Sequence, residues 1–141
     1  HHMVRKIIPD IVSYQDVFAL AGNATVLDAA RGMAERNIHA VLVTDDGTLT
    51  GIFTGTDLVK KVVAVGSDPN LTALSDVMSR DPETVSPGFD AIKALHRMQN
   101  GRFRHLPVVD NGKLVGIVSR RDFLDYEIEE LEHQEQLWEK I

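Results

Sequence analysis

Two seven-residue stretches concentrate the groups that could do chemistry: GIFTGTD at residues 51–57 and GIVSRRD at residues 116–122. Each sets a hydroxyl, Thr54 or Ser119, three residues ahead of a carboxylate, Asp57 or Asp122. At the start of a helix this spacing makes a cap. The hydroxyl oxygen accepts a backbone N–H, and the carboxylate accepts the N–H of the cap residue itself, an arrangement worth about 1 kcal/mol. The same groups also suit a ligand. A carboxylate has two oxygens to accept the protons of a vicinal diol, and the N–H groups of a helix start favour anions. Arg120 and Arg121 add guanidinium forks, which bind phosphate through paired, charge-assisted hydrogen bonds.

Other chemistries lack their residues. The chain has no cysteine, which removes thiolate catalysis, cysteine-ligated zinc and disulfides and fits a reducing cytoplasm. It contains no G-x-S-x-G elbow, Walker loop or H-E-x-x-H motif, and the recurring carboxylates serve as caps, so no enzyme is expected. His39, His96 and His105 lack a metal-binding spacing, so no metal is expected. His39 is read as capping or packing, His96 as facing solvent or an interface, and His105 as a phosphate contact. The net charge of −6 argues against a general grip on nucleic acid. From Asp122 onward eight acids stand against His133 and Lys140, so the remaining body is near neutral and leaves room for a local basic pocket. No apolar run approaches a membrane span and no signal peptide is visible, while His1 and His2 before Met3 read as a tag remnant over residues 1–3.

The elements that must position these groups are written twice. Residues 51–57 recur 65 positions later, and the same offset pairs Val12 with Val77, Asp16 with Asp81, Ala29 with Ala94 and Met33 with Met98. His39 pairs with His105 at 66, as though an extra residue near NGRFR were offset by one in TDDGT. We read a tandem duplication: repeat 4–66, repeat 67–126 with a linker at 67–75, and a helical tail at 127–141. In the first copy Thr25 opens a helix with apolar positions at 26, 29, 30, 33 and 34. HAVLVT and LTGIFT read as strands about a DDG turn, and GTDLVKKVVAV as a helix stopping at Gly66. The second copy repeats this as helix DAIKALHRMQN and strands HLPVVD and KLVGIVS, joined by Asn111 and Gly112, a strong hairpin signal. Short lead-in strands are expected at Val17 and Phe18 and at Thr84 and Val85, with a short helix over 71–78. A copy of about 60 residues is a marginal core by itself. The expected fold class is therefore α/β: two pseudo-two-fold related β-α-β-β-α repeats packed sheet to sheet around a cleft, plus a C-terminal helix.

Two copies of glycine, two apolar residues, Thr or Ser, two variable residues and Asp, each closing a hairpin, resemble a tandem pair of cystathionine-β-synthase (CBS) domains. The segment RHLPVVDNGKLVGIVSRRD carries most of the likeness, which runs from about Asp10 to Tyr126. The resemblance implies a regulatory module that requires no cofactor. It binds an adenosine nucleotide in the cleft: AMP or ATP first, ADP, and in some members NAD or S-adenosylmethionine. It signals by a conformational or oligomeric change, forms a homodimer and is read by an effector protein. Carried onto this chain, Asp57 and Asp122 would hold ribose hydroxyls, with Thr54 and Ser119 near ribose or phosphate. Val85, His105, Leu106 and Pro107 would frame the adenine, and basic side chains would take the phosphates. The alternative is a ligand-free structural dimerisation or interaction module; an oligonucleotide binder fits the acidic balance poorly.

The arginines set the copies apart. The second copy has Arg102, Arg104, His105, Arg120 and Arg121 where the first offers Ile38, His39, Gly55 and Thr56, with Arg104 taken to replace an apolar residue. The site at Asp122 is thus expected to be the better phosphate binder. In the tail, Leu124, Ile128, Leu131 and Trp138 form a heptad-like seam interrupted by Glu135. It reads either as a helix folded back on its own body or as one packed on a symmetry mate or effector, with Trp138 as anchor.

Overall fold

The computed structural model of the chain describes residues 4–123, 128, 132–133 and 135–137. It is α/β and divides into two compact units, one spanning Val17–Pro82 and the other joining the residues up to Asp16 to those from Glu83 onward. These units differ from the repeat boundaries at 66 and 67, for a reason that lies at the helix starts.

In the first unit, β1 (Ala19–Leu20) runs parallel to β2 (Ala40–Asp45). β2 pairs antiparallel with β3 (Thr48–Thr54), and β3 with β4 (Ser79–Arg80). Helix α1 (Val26–Arg36) starts at Thr25, whose hydroxyl oxygen accepts the Asp28 N–H at 3.1 Å, and it buries Val26, Ala29 and Met33. Helix α2 (Gly55–Asp57) runs on into a wider-wound segment, Leu58–Val63. It stops where Gly66 takes φ +75°, with Gly66 N–H on the Val63 carbonyl and Ser67 N–H on that of Val62. That pair of bonds satisfies the last carbonyls, and the left-handed residue between them favours glycine. Helix α3 (Leu74–Val77) lies within the expected 71–78.

The second unit repeats the plan. Helix α4 (Ala91–Gly101) starts at Asp90, whose Oδ1 accepts the Ile92 and Lys93 N–H groups at 2.9 and 3.2 Å. Strands β5 (His105–Asp110) and β6 (Lys113–Ser119) form the hairpin, followed by a single turn, Arg120–Asp122. Val85 bridges Val108 in parallel, as Leu20 does Val43. The first lead-in strand thus falls at Ala19–Leu20, just beyond the Val17 and Phe18 expected. Met33 and Met98 lie in separate apolar clusters, one built around Phe53 and the other around Leu95 and Leu106. A fully buried side chain of this size contributes roughly 1.5–3 kcal/mol.

The offset between the copies is 65 throughout, which corrects the pairing of His39 with His105. The left-handed residues ending the helices are Asn37 (φ 54°) and Arg102 (φ 57°). The strands then open with the pairs Ala40–Thr54 and His105–Ser119. The turns use Asp46 with Gly47 and Asn111 with Gly112, all at positive φ, and the ladder irregularities fall at Val43/Thr44 and Val108/Val109. No residue is inserted. His39 corresponds to Arg104 and Ala40 to His105, because helix end and hairpin register fix the alignment where side-chain identity does not. Arg104 therefore stands where the first copy has a histidine, and His105 where it has a small apolar residue.

Unit boundaries follow from the helix starts, whose first N–H groups lack acceptors inside the helix. The Val26 N–H finds the Thr72 carbonyl at 2.9 Å, next to a bridge between Thr25 and Ala73. The Ala91 N–H finds the Arg5 carbonyl at 2.8 Å, next to a bridge between Asp90 and Lys6. The segment assigned to the linker thus closes the first copy. The N-terminal segment, with a turn at Ile7–Ile11 that buries Ile7 and Ile8, closes the second.

Described tail residues are helical, and Ile128 packs against the second cluster. Glu135 accepts the Gln99 side-chain amide at 3.0 Å and lies 3.5 Å from His96 Nδ1. These contacts set Glu135 against α4. Leu124, Leu131 and Trp138 lie outside the described residues.

Candidate functional site

One end of the β5–β6 hairpin collects most of the candidate residues. Here β5 begins at His105 directly opposite Ser119, the last residue of β6. The chain then turns back on itself: the Arg120 N–H donates to the Arg104 carbonyl at 3.0 Å. Arg104 and Arg120 therefore leave adjacent points of the backbone, with the exposed Arg121 beside them and His105 half-buried between strand and surface. Val85 is tied to the same strand, its N–H on the Pro107 carbonyl at 3.0 Å and its carbonyl accepting the Val109 N–H at 2.9 Å.

Burial divides these residues by what they can offer. Val85 and Leu106 point into the apolar cluster, at 3% and 0% exposure. They shape the backbone and present no side chain to a ligand. Pro107, also buried, lies on the alternate strand position and has no N–H to lose. Arg104, Arg121 and Asp122 are exposed.

The Asp122 carboxylate accepts two bonds on one oxygen. Oδ2 takes the Ser119 N–H at 2.7 Å and the Ser119 hydroxyl at 3.2 Å. No hydrogen bond or ion pair among the described residues engages its Oδ1. The capping role is real, and it leaves half of an exposed carboxylate for another partner.

In the first unit the same motif sits differently. Asp57 Oδ2 takes the Thr54 N–H at 3.0 Å and the Thr54 hydroxyl at 3.3 Å, while the Asp57 N–H donates to Thr54 Oγ1 at 3.4 Å. Its Oδ1 lies 3.1 Å from Lys61 Nζ, one helical turn on. Asp57 is also buried, at 8% exposure. The corresponding backbone bond, Gly55 N–H to the His39 carbonyl at 3.1 Å, carries no guanidinium on its donor residue. Thr54 and Asp57 are thus together in one unit, and the other nine candidates in the other. Lys61 escaped attention in the sequence, although Asp and Lys four apart on a helix are a recognisable pair.

Among the described residues no group of three or more metal-ligating side chains converges, and no helix is long and apolar enough to cross a membrane. Among the described residues one carboxyl has a clear perturbation. Asp45 is held below the ordinary carboxylate range by the Gly22 N–H on Oδ1 at 3.0 Å, and then by the Thr50 hydroxyl on Oδ2 at 2.9 Å. It fastens the turn after β2 to the loop before α1.

A family model described as the CBS domain matches residues 8–64 and 74–129. The chain is 46% identical over 95 residues to the CBS domain-containing protein CBSCBSPB2 of Arabidopsis thaliana, a match covering 67% of this chain and 18% of the plant protein. The chain thus spans under a fifth of that curated relative. Among solved structures, the hexameric CBS-CP12 protein from bloom-forming cyanobacteria is 31% identical, with a TM-score of 0.77 over 86% of this chain and 67% of the other. A CBS domain protein of Pyrobaculum aerophilum complexed with AMP is 24% identical, with a TM-score of 0.75 over 84% of this chain and 93% of the other, a likeness of fold.

Proposed function

The chain belongs to the CBS-domain family, and from that premise we propose that it is a regulatory module binding an adenosine nucleotide at the end of the β5–β6 hairpin. The observation that carries the reading is Asp122, exposed, with Oδ1 unengaged among the described residues. A ribose diol supplies the protons such an oxygen accepts. Arg120, Arg104 and Arg121 supply cations for phosphate. Val85 and Pro107 frame the base through backbone knitted at 3.0 Å, and Thr54 with Asp57 offer a second, differently furnished motif.

AMP is the first ligand to try, ATP the second; the Pyrobaculum aerophilum protein of the same fold is complexed with AMP. The chain works as a homodimer in the cytoplasm and signals to an effector protein without catalysing a reaction. Binding shifts the protein only through different affinities for two arrangements. A thermal-shift series with AMP, ADP, ATP, NAD and S-adenosylmethionine tests this. A ligand at 100 times its Kd adds about 2.7 kcal/mol, which for a chain this size is several degrees. A flat series would favour the ligand-free interaction module instead.

A further inference from the structure

We propose that Lys61 occupies the Asp57 carboxylate and closes the first copy's motif to nucleotide, so that each chain binds one nucleotide, at Asp122. This rests on the nucleotide reading above and assigns its stoichiometry to a named side chain.

Both copies fold the motif alike, with one carboxylate oxygen taking the backbone N–H and the hydroxyl of the residue three positions earlier. They differ at the other oxygen. On Asp57 it is 3.1 Å from the Lys61 ammonium; on Asp122 no described residue engages it. They differ in exposure too, Asp57 being buried and Asp122 exposed. A buried carboxylate needs a counter-charge, since desolvation without one is costly. Lys61 supplies it from one turn along the same helix, so the pair forms without any ligand.

A ribose diol arriving at Asp57 would have to displace that ammonium. Two neutral hydroxyls would replace an ammonium–carboxylate ion pair, leaving the lysine to find water again. At Asp122 no described residue must be displaced. The 65-residue offset puts Tyr126 where the first copy has Lys61, so the second copy carries no cation at this place in its sequence. The lysine side chain is 42% exposed, so the lock is a replaceable side chain at the helix surface.

Calorimetric titration of the full chain with AMP tests the lock. The wild type is expected to take up one AMP per chain and Lys61→Gln two, with the added site lost again in Lys61→Gln/Asp57→Asn. Lys61→Arg, which keeps the cation, should remain at one. Lys61→Met, which keeps the apolar stem, serves if the glutamine variant folds poorly, and thermal melts of each variant report folding separately. Two sites in the wild type, or one in both folded neutral variants, would overturn the lock and leave the nucleotide reading standing. If the wild type binds no AMP, a site gained in Lys61→Gln upholds the lock while refuting the Asp122 site. Silence in both removes lock and reading together.

Discussion

Arg120 donates its backbone N–H to the carbonyl of Arg104 at 3.0 Å. This bond closes the open end of the β5–β6 hairpin and roots two guanidinium side chains side by side, next to the Ser119–Asp122 motif. The first copy makes the same bond between Gly55 and His39, so the backbone device is common to both and the paired arginines belong to one. A fold that repeats its geometry can thus vary its chemistry by side chain alone.

Replacing those arginines should weaken phosphate binding and spare the fold. Arg120→Ala is expected to raise the Kd for AMP by roughly tenfold or more, given about 1.5–3 kcal/mol for a hydrogen bond to a charged group. Adenosine should bind the wild type and the variant alike. Calorimetry with both ligands, at two salt concentrations, reads the difference.

A helix cap away from the hairpin end provides the opposite control. Asp90 caps two N–H groups of α4 through one oxygen. Asp90→Ala should cost about 1 kcal/mol, lowering Tm by roughly 2–4 °C for a chain of this length. AMP affinity, measured well below the melting range, should not change.

Asp45 should mark the acid limb of stability. Its folded-state pKa is depressed, by the Gly22 N–H first and the Thr50 hydroxyl second. The stability it adds is fully present above its unfolded value and is lost as pH falls through the folded one. Wild type should therefore melt above Asp45→Asn at neutral pH, with the gap narrowing below about pH 4. Paired melts across that window check the sign.

The tail should behave as part of the second unit. Ile128 packs on its apolar cluster, whereas Glu135 meets His96 and Gln99 at the surface of α4. Ile128→Ala should cost about 1–2 kcal/mol, less than a fully buried isoleucine. Glu135→Ala should cost under about 1 kcal/mol, as exposed pairs do. Denaturant titrations of the two variants separate these values.

What the sequence made legible was local. Helical spacing over 26–36 and 91–101, the turns at Gly47 and Gly112, the stop at Gly66 and both Thr/Ser–Asp motifs depend on residues within one turn of each other. The register between copies was misread because two histidines were matched by identity. The true marker is the left-handed helix end at Asn37 and Arg102, and an arginine there carries no sequence signature. The exchange of closing segments was equally hidden. It answers to where the Val26 and Ala91 N–H groups find acceptors, 46 residues ahead in one case and 86 behind in the other, positions of Thr72 and Arg5 that no local pattern encodes. The unequal exposure of Asp57 and Asp122 also emerges only from packing.

The nucleotide reading stands or falls on Asp122 as the anchor of the ribose. The decisive experiment titrates AMP into the wild type and into Asp122→Asn, with folding verified by melts. We expect saturable binding to the wild type and a loss of at least about a hundredfold in the variant, on the order of 2.7 kcal/mol. Equal affinity in the two proteins would rule out Asp122 as the anchor.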